Sequence, residues 1–176
     1  PYKNYYKEDI YVGYRYFETF AKDKVLYPFG YGLSYTNFET KAEIFKNTED
    51  ELTVAATVTN IGDVRGKEIV QVYVKAPQGK LGNPARKLIG FAKTRELAPG
   101  EKEELVIIIP KYDMASYDDS GVTGHKSCYV LEEGTYEIFA GSDVRSAKSA
   151  GIYEEELRVI EQLQDCLLYT SDAADE

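Results

Sequence analysis

Apolar side chains recur at every second position through the middle of the chain, the period of a strand with one face buried. Leu52, Val54, Ala56 and Val58 point one way, with Thr53, Thr57 and Thr59 opposite. Between Lys67 and Lys75, Val70, Val72 and Val74 alternate with Gln71, Tyr73 and Lys75. Leu105, Ile107 and Ile109 repeat the rule, although Val106 and Ile108 make that strand apolar on both faces, and Tyr136, Ile138 and Ala140 repeat it again. Further strands are predicted over 38–45, 88–93 and 152–159. Turn chemistry separates them. Asn60-Ile61-Gly62-Asp63 offers a glycine able to take φ > 0, and Ala98-Pro99-Gly100-Glu101 puts Pro and Gly at the two central positions that a type II turn prefers. Glu132-Glu133-Gly134 precedes another strand. Seven or so short strands without a helical stripe between them predict an all-β fold, an antiparallel sandwich of two sheets. Parallel βαβ units would need crossover helices, and the pattern holds none.

The pattern changes at both ends. Residues 1 to about 34 are aromatic and Gly-rich, with Tyr2, Tyr5, Tyr6, Tyr11, Tyr14, Tyr16, Phe17, Phe20, Tyr27, Phe29 and Tyr31. Alternation read through this arm puts Arg15 opposite Tyr14 and Tyr16. From Asp165 to Glu176 all periodicity is lost. The longest irregular connection, 111–126, carries Tyr112, Asp113, Tyr117, Asp118, Asp119, Gly121 and Gly124. It reads either as a partner-facing loop or as a sandwich corner pinned by Tyr and Asp hydrogen bonds.

Composition narrows the function classes. The 176 residues carry a formal charge of −9, which argues against a nucleic-acid partner because phosphate binding needs a clustered basic face. The apolar run Val106–Ile109 is far short of a membrane span of about 20 residues, and no signal-peptide pattern opens the sequence. Two cysteines, Cys128 and Cys166, are too few for a disulfide framework or a zinc site. Together these features favour the cytoplasm.

Two stretches carry a family resemblance. Asp9-Ile10-Tyr11-Val12-Gly13-Tyr14-Arg15-Tyr16-Phe17, followed by Tyr27-Pro28-Phe29-Gly30-Tyr31-Gly32-Leu33-Ser34-Tyr35-Thr36, resembles the passage from the α/β sandwich domain into the fibronectin type III-like domain of family 3 glycoside hydrolases. Val58-Thr59-Asn60-Ile61-Gly62-Asp63 and Gly66-Lys67-Glu68-Ile69-Val70-Gln71-Val72-Tyr73-Val74 are similar to the opening strands of that module. Tyr112 to Asp118 and Gly141-Ser142-Asp143-Val144-Arg145 look most like members in which those two domains precede the (β/α)8 barrel. The resemblance implies an immunoglobulin/fibronectin type III-like β-sandwich over 35–160, with 1–34 as the tail of a preceding α/β sandwich domain and linker. It implies that 161–176 is a linker remnant followed by a non-native tail.

It also implies a β-glucosidase-like parent that cleaves β-linked saccharides by double displacement, without metal or other cofactor. Such an enzyme needs two carboxyls about 5–5.5 Å apart. The family places these on the barrel and the α/β sandwich domain, and neither motif occurs here, so no catalytic residue is assigned. The runs Glu101, Glu103 and Glu104, Glu132 and Glu133, and Glu154 to Glu156 read as solvated faces, and Asp118 beside Asp119 makes a poor catalytic dyad. His125, the single histidine, reads as an exposed or hydrogen-bonded loop residue.

The candidate contacts are Tyr14, Arg15, Tyr16, Phe29 and Tyr31. They either pack against the absent α/β sandwich and barrel domains or line a sugar cleft, since aromatic rings stack on apolar sugar faces and Arg donates planar hydrogen bonds. The expected role is a non-catalytic module bracing the catalytic domains. The alternative is a free-standing carbohydrate-binding or adhesion sandwich. Without its partner domain the arm is expected to pack loosely.

Overall fold

The structure, a computed structural model, describes residues 7–163, and within them ten strands pair antiparallel throughout. β1 (Phe38–Asn47), β2 (Glu51–Asn60) and β5 (Lys102–Pro110) form one sheet in the order β1-β2-β5. β3 (Ile69–Lys75), β4 (Lys87–Lys93), β8 (Gly134–Gly141) and β9 (Lys148–Glu155) form the facing sheet in the order β4-β3-β8-β9. A small third sheet, β10-β7-β6, joins β6 (Ser116–Asp118), β7 (Cys128–Leu131) and β10 (Arg158–Gln162). The chain changes sheet between β2 and β3, returns at β5, and crosses again to β8. This is the winding of a fibronectin type III-like sandwich.

The alternating residues build the core as expected. Leu52, Val54, Ala56 and Val58 from one sheet meet Val70, Val72, Val74 and Ile138 from the other, with Ile107 and Ile109 closing the layer. Gly90 is small for a reason: a Cβ there would sit 3.1 Å from both Ile107 and Ile109. On β5 the opposite face stays wet, with Val106 63% exposed. The face of β3 opposite the valines departs from the alternating pattern. Gln71 and Tyr73 are buried too, because helix α1 (Tyr14–Phe20) lies over that side of the sheet.

Polar anchors tie the corners. Asn60 is fully buried and uses its whole side chain: Oδ1 accepts from Thr36 Oγ1 at 2.8 Å and Gly62 N at 3.1 Å. Its Nδ2 donates to Val64 O at 2.8 Å and Leu97 O at 2.9 Å. Gly62 is required by crowding and not, as expected, by a positive φ, since a Cβ would come within 2.8 Å of Asn37 N. The turn before β5 behaves as read, with Gly100 at φ 79° and Glu101 N donating to Ala98 O. Tyr136, buried at the start of β8, donates its hydroxyl to Glu132 O at 3.1 Å, the tyrosine corner of this fold class.

Three expectations need correction. The connection over 111–126 is not wholly irregular, since it contains a 3₁₀ turn (Lys111–Met114) and β6, whose partner β7 follows, although Asp118 does pin it as the corner reading expected. The strand expected over 152–159 divides: β9 ends at Glu155, and β10 begins at Arg158 in a different sheet. The acidic runs are not wholly solvated. Glu132 is buried and accepts from Lys80 N at 2.6 Å, while Glu155 pairs with buried Lys111 at 2.5 Å. Each acid is drawn inward by donors that would otherwise lose water unpaired. Residues 1–6 and 164–176, including Tyr2, Tyr5, Tyr6 and the expected non-native tail, lie outside the described residues.

Candidate functional site

The aromatic arm has a docked side and an open side. Its docking begins where Gly13, at φ 59°, turns the chain into α1. The helix places Tyr14, Glu18 and Ala21 on one stripe at helical spacing, and that stripe faces the sheet. Tyr14 accepts a hydrogen bond from Leu88 N at 2.8 Å, stacks on Phe29 at 4.3 Å, and meets Tyr73 edge-on at 6.5 Å. Behind it, Tyr73 donates to Gln71 Oε1, and Gln71 Nε2 donates to Ser142 O at 2.6 Å. Burial pushes the Tyr73 phenol well above its ordinary pKa, with the nearby Tyr14 and Asp143 adding to the rise.

Glu18 is the arm's tether, only 3% exposed. It accepts from Arg145 Nε at 2.9 Å, and Lys22 lies 3.9 Å away. Arg145 also donates through Nη2 to Lys22 O at 2.8 Å, so one guanidinium holds both ends of the turn after α1. Asp143 positions that arginine, its Oδ1 accepting from the backbone N–H groups of Arg145 and Ser146, both at 2.8 Å. The same loop reaches Phe29, whose carbonyl accepts from Val144 N at 3.0 Å. Gly30, at φ 83°, passes so close to Gln71 that a Cβ would meet its Cδ at 2.8 Å. Beside this seat the Arg86 guanidinium lies 3.3 Å over the Phe139 ring, with Nη1 buried and unpartnered among the described residues.

The open side is large and apolar. Val12 just before the helix, Tyr16 and Phe20 on it, then Leu26 (91% exposed), Tyr27, Tyr31, Leu33 and Tyr35 (100% exposed), all meet solvent. Tyr11, Tyr16, Phe17 and Phe20 wall a groove of about 540 Å³, with Tyr11 and Phe20 edge-to-face at 4.9 Å. Tyr27 and Tyr31 pair at 5.1 Å.

The five candidate contacts therefore do not line one cleft. Strand alternation was the wrong period for 14–16. On a helix, successive side chains turn by about 100°, so Tyr14 points to the sheet, Arg15 faces a side groove shared with Lys87, and Tyr16 looks outward. Phe29 joins Tyr14, and Tyr31 joins Tyr27. The expectation of loose packing fails for Tyr14 and Glu18. Sequence reasoning missed Glu18, Arg145 and Gln71. The signal was present in the spacing of Tyr14, Glu18 and Ala21, a short helical stripe hidden among tyrosines.

Several carboxyls elsewhere hold structural roles. Burial would raise the Asp118 pKa, but hydrogen bonds from the Thr123 hydroxyl and the Thr123, Gly121 and Val122 N–H groups hold it well below the usual carboxylate range. In the groove that Glu49, Glu154, Glu155 and Glu156 help line, Glu155 is committed to Lys111, and Glu49 lies 3.8 Å from Arg158. Burial pushes the Glu68 carboxyl up against the lowering hydrogen bond from Ile69 N. His125 is exposed. Among the described residues no three His, Cys, Asp or Glu side chains are placed to hold a metal, and no helix is long and apolar enough to cross a membrane.

Residues 68–144 match the fibronectin type III-like domain family. A β-glucosidase of Ruminococcus albus is 55% identical over 163 residues, covering 92% of this chain, and β-glucosidase A of Butyrivibrio fibrisolvens is 48% identical over 186 residues. Among solved structures, a β-glucosidase from Paenibacillus barengoltzii superposes with a TM-score of 0.87 at 52% identity over 93% of this chain. The Bifidobacterium adolescentis GH3 β-glucosidase does so with a TM-score of 0.73 at 30% identity. The chain belongs with the family 3 glycoside hydrolases. It spans about a fifth of the length of these relatives, 17% of the Ruminococcus protein and 19% of the Paenibacillus chain. The Ruminococcus match covers 92% of this chain, so it leaves out too few residues to miss the arm and extends into it as well as the sandwich.

Proposed function

We propose that this chain is a non-catalytic module of a family 3 β-glucosidase and that it braces the catalytic domains through the open side of its aromatic arm. One observation carries this reading. The arm is fixed to the sandwich by Tyr14, Glu18 and Phe29, yet presents Val12, Tyr16, Phe20, Leu26, Tyr27, Leu33 and Tyr35 to water. A monomer that stands alone rarely leaves so much contiguous apolar surface uncovered. A rigid apolar face beside a locked sandwich suits a neighbouring domain, and it is a poor match to the closed polar surface of a free-standing adhesion module.

In this reading 1–34 serve as the joint with an α/β sandwich domain, 35–160 are the brace, and 161–176 are a linker remnant and a non-native tail. The paired carboxylates of the parent then lie on its α/β sandwich and barrel domains, and β-linked saccharides are its substrates, as the β-glucosidase relatives suggest.

The test has two arms. The chain alone should not turn over a chromogenic β-glucoside, and turnover would overturn the non-catalytic claim. Grafted in place of the matching region of the Ruminococcus albus enzyme, it should support activity, and Tyr16→Ser with Phe20→Ser should lower the melting temperature of that hybrid. A hybrid indifferent to the double substitution would overturn the bracing claim.

A further inference from the structure

A second groove, of about 420 Å³, opens where α1, β4, the 3₁₀ turn at Lys111–Met114 and β7 meet, and is lined by Arg15, Lys87, Phe91, Tyr112, Asp113 and Tyr129. It uses none of the outward arm residues that carry the bracing role. Its size falls at the lower end of small-molecule sites, about 300–1,000 Å³.

The chemistry of the walls is specific. Tyr112 and Tyr129 stand 4.9 Å apart, Tyr117 continues the row at 5.2 Å from Tyr129, and Phe91, Tyr112 and Tyr117 are exposed. The rings are tilted by 49° and 50° to one another, so each offers its own apolar face. Against them sit two donors and one acceptor. The Lys87 ammonium spends one hydrogen on Ala115 O at 3.2 Å and has two left. The guanidinium of Arg15 and the carboxylate of Asp113 make no ion pair within 4 Å among the described residues, yet both act on Lys87 electrostatically. Burial lowers the Lys87 pKa to about 8, helped by Arg15 and opposed by Asp113, so at neutral pH it is mostly a protonated and poorly hydrated donor.

A lone anion meets repulsion from Asp113, and a cation meets it from Arg15 and Lys87. A group that both donates and accepts at adjacent atoms satisfies all three. Vicinal hydroxyls on a ring with an apolar face do this. We propose that this groove is a non-catalytic saccharide site taking one or two neutral hexose units, with the rings of Tyr112, Tyr129 and Phe91 against the sugar face and Arg15, Lys87 and Asp113 on its hydroxyls. The site goes beyond the bracing role and does not depend on it. It would hold a β-linked saccharide near the enzyme without acting on it.

The experiment is a titration of the ¹⁵N-labelled chain with cellobiose, followed by amide shifts, with sulfate in a parallel series. Saturable, millimolar shifts confined to Arg15, Lys87, Phe91, Tyr112, Asp113 and Tyr129 are expected. Asp113→Ala, at an exposed position, should weaken cellobiose about tenfold through loss of a charge-assisted hydrogen bond, with the melting temperature unchanged. No shift at the highest soluble cellobiose concentration overturns the site, as do shifts centred elsewhere or equal affinity in Asp113→Ala. Saturable sulfate shifts without cellobiose shifts would make it an anion site and overturn it equally. None of these readouts depends on the hybrid-enzyme test of bracing, so the two claims can fail separately.

Discussion

Tyr73 and Tyr27 are the same residue type under opposite conditions. Tyr73 is fully buried and spends its hydroxyl on Gln71, while Tyr27 leaves 69% of its surface in water. The contrast extends to the regions that hold them. In the sandwich, alternation leaves one face per strand for the core, and two sheets from the same chain supply both walls. In the arm, a single short helix supplies one wall only, so most of its aromatic rings pack only on each other and stay exposed. The sandwich is self-sufficient. On the bracing proposal the arm is half of an interface, and its tether through Glu18 and Arg145 fixes that half without covering it.

The comparison can be broken most sharply with one charge placed in two positions. Val72→Asp puts an unpaired carboxylate at a fully buried site and should abolish the cooperative melt, because such a charge costs several kcal/mol against a total stability of about 5–15 kcal/mol. Val106→Asp on the wet face of β5 should change stability by less than about 0.5 kcal/mol. Circular dichroism on heating separates the two, and equal melting curves would mean the inward face is misassigned.

Asn60→Leu comes next. It removes a side chain making four hydrogen bonds and takes their partner from Val64 O, Gly62 N and the Thr36 hydroxyl, so a loss of about 2–4 kcal/mol in denaturant stability is expected. Glu18→Ala should act locally: limited proteolysis and hydrogen exchange over 14–24 should rise, while the sandwich transition moves by no more than about 1–2 kcal/mol. Full protection of the arm in that variant would show that the tether is dispensable.

Acid sensitivity gives a subtler test. Asp118 has a folded pKa below the unfolded value of about 3.9, so its carboxylate stabilises the fold at neutral pH. That contribution is complete above about pH 5 and fades as pH falls through 4 toward the lower folded value. Asp118→Asn should flatten this part of the acid-stability curve, measured by melting temperature from pH 6 to 3. The smallest effect belongs to the open side. Leu26→Ser with Tyr27→Ser should leave stability within about 0.5 kcal/mol while reducing self-association, read by sedimentation.

Most of the sandwich was legible because its rule is local. Leu52 to Val58 and Val70 to Val74 name their inward face by parity, and Pro99-Gly100 names its turn by backbone freedom. The string from Tyr27 to Thr36 likewise pointed to the family. Legibility failed where a neighbour in space overrode parity. Tyr73 and Gln71 read as surface until α1 covered them, and Glu132 read as solvated until the backbone N–H of Lys80 reached it. In the arm, one turn of helical stripe (Tyr14, Glu18, Ala21) was too short to stand out among tyrosines spaced at two.

The order of side chains alone determined that this protein is a β-sandwich with an aromatic arm, since period-two burial and turn residues act within a few positions of each other. Only the tertiary structure decided which tyrosines are anchors and which are open, and that Arg15, Lys87 and Asp113 share one groove. Those outcomes depend on contacts between residues as far apart as Glu18 and Arg145, whose distance is set by the packing of whole sheets and by no local pattern.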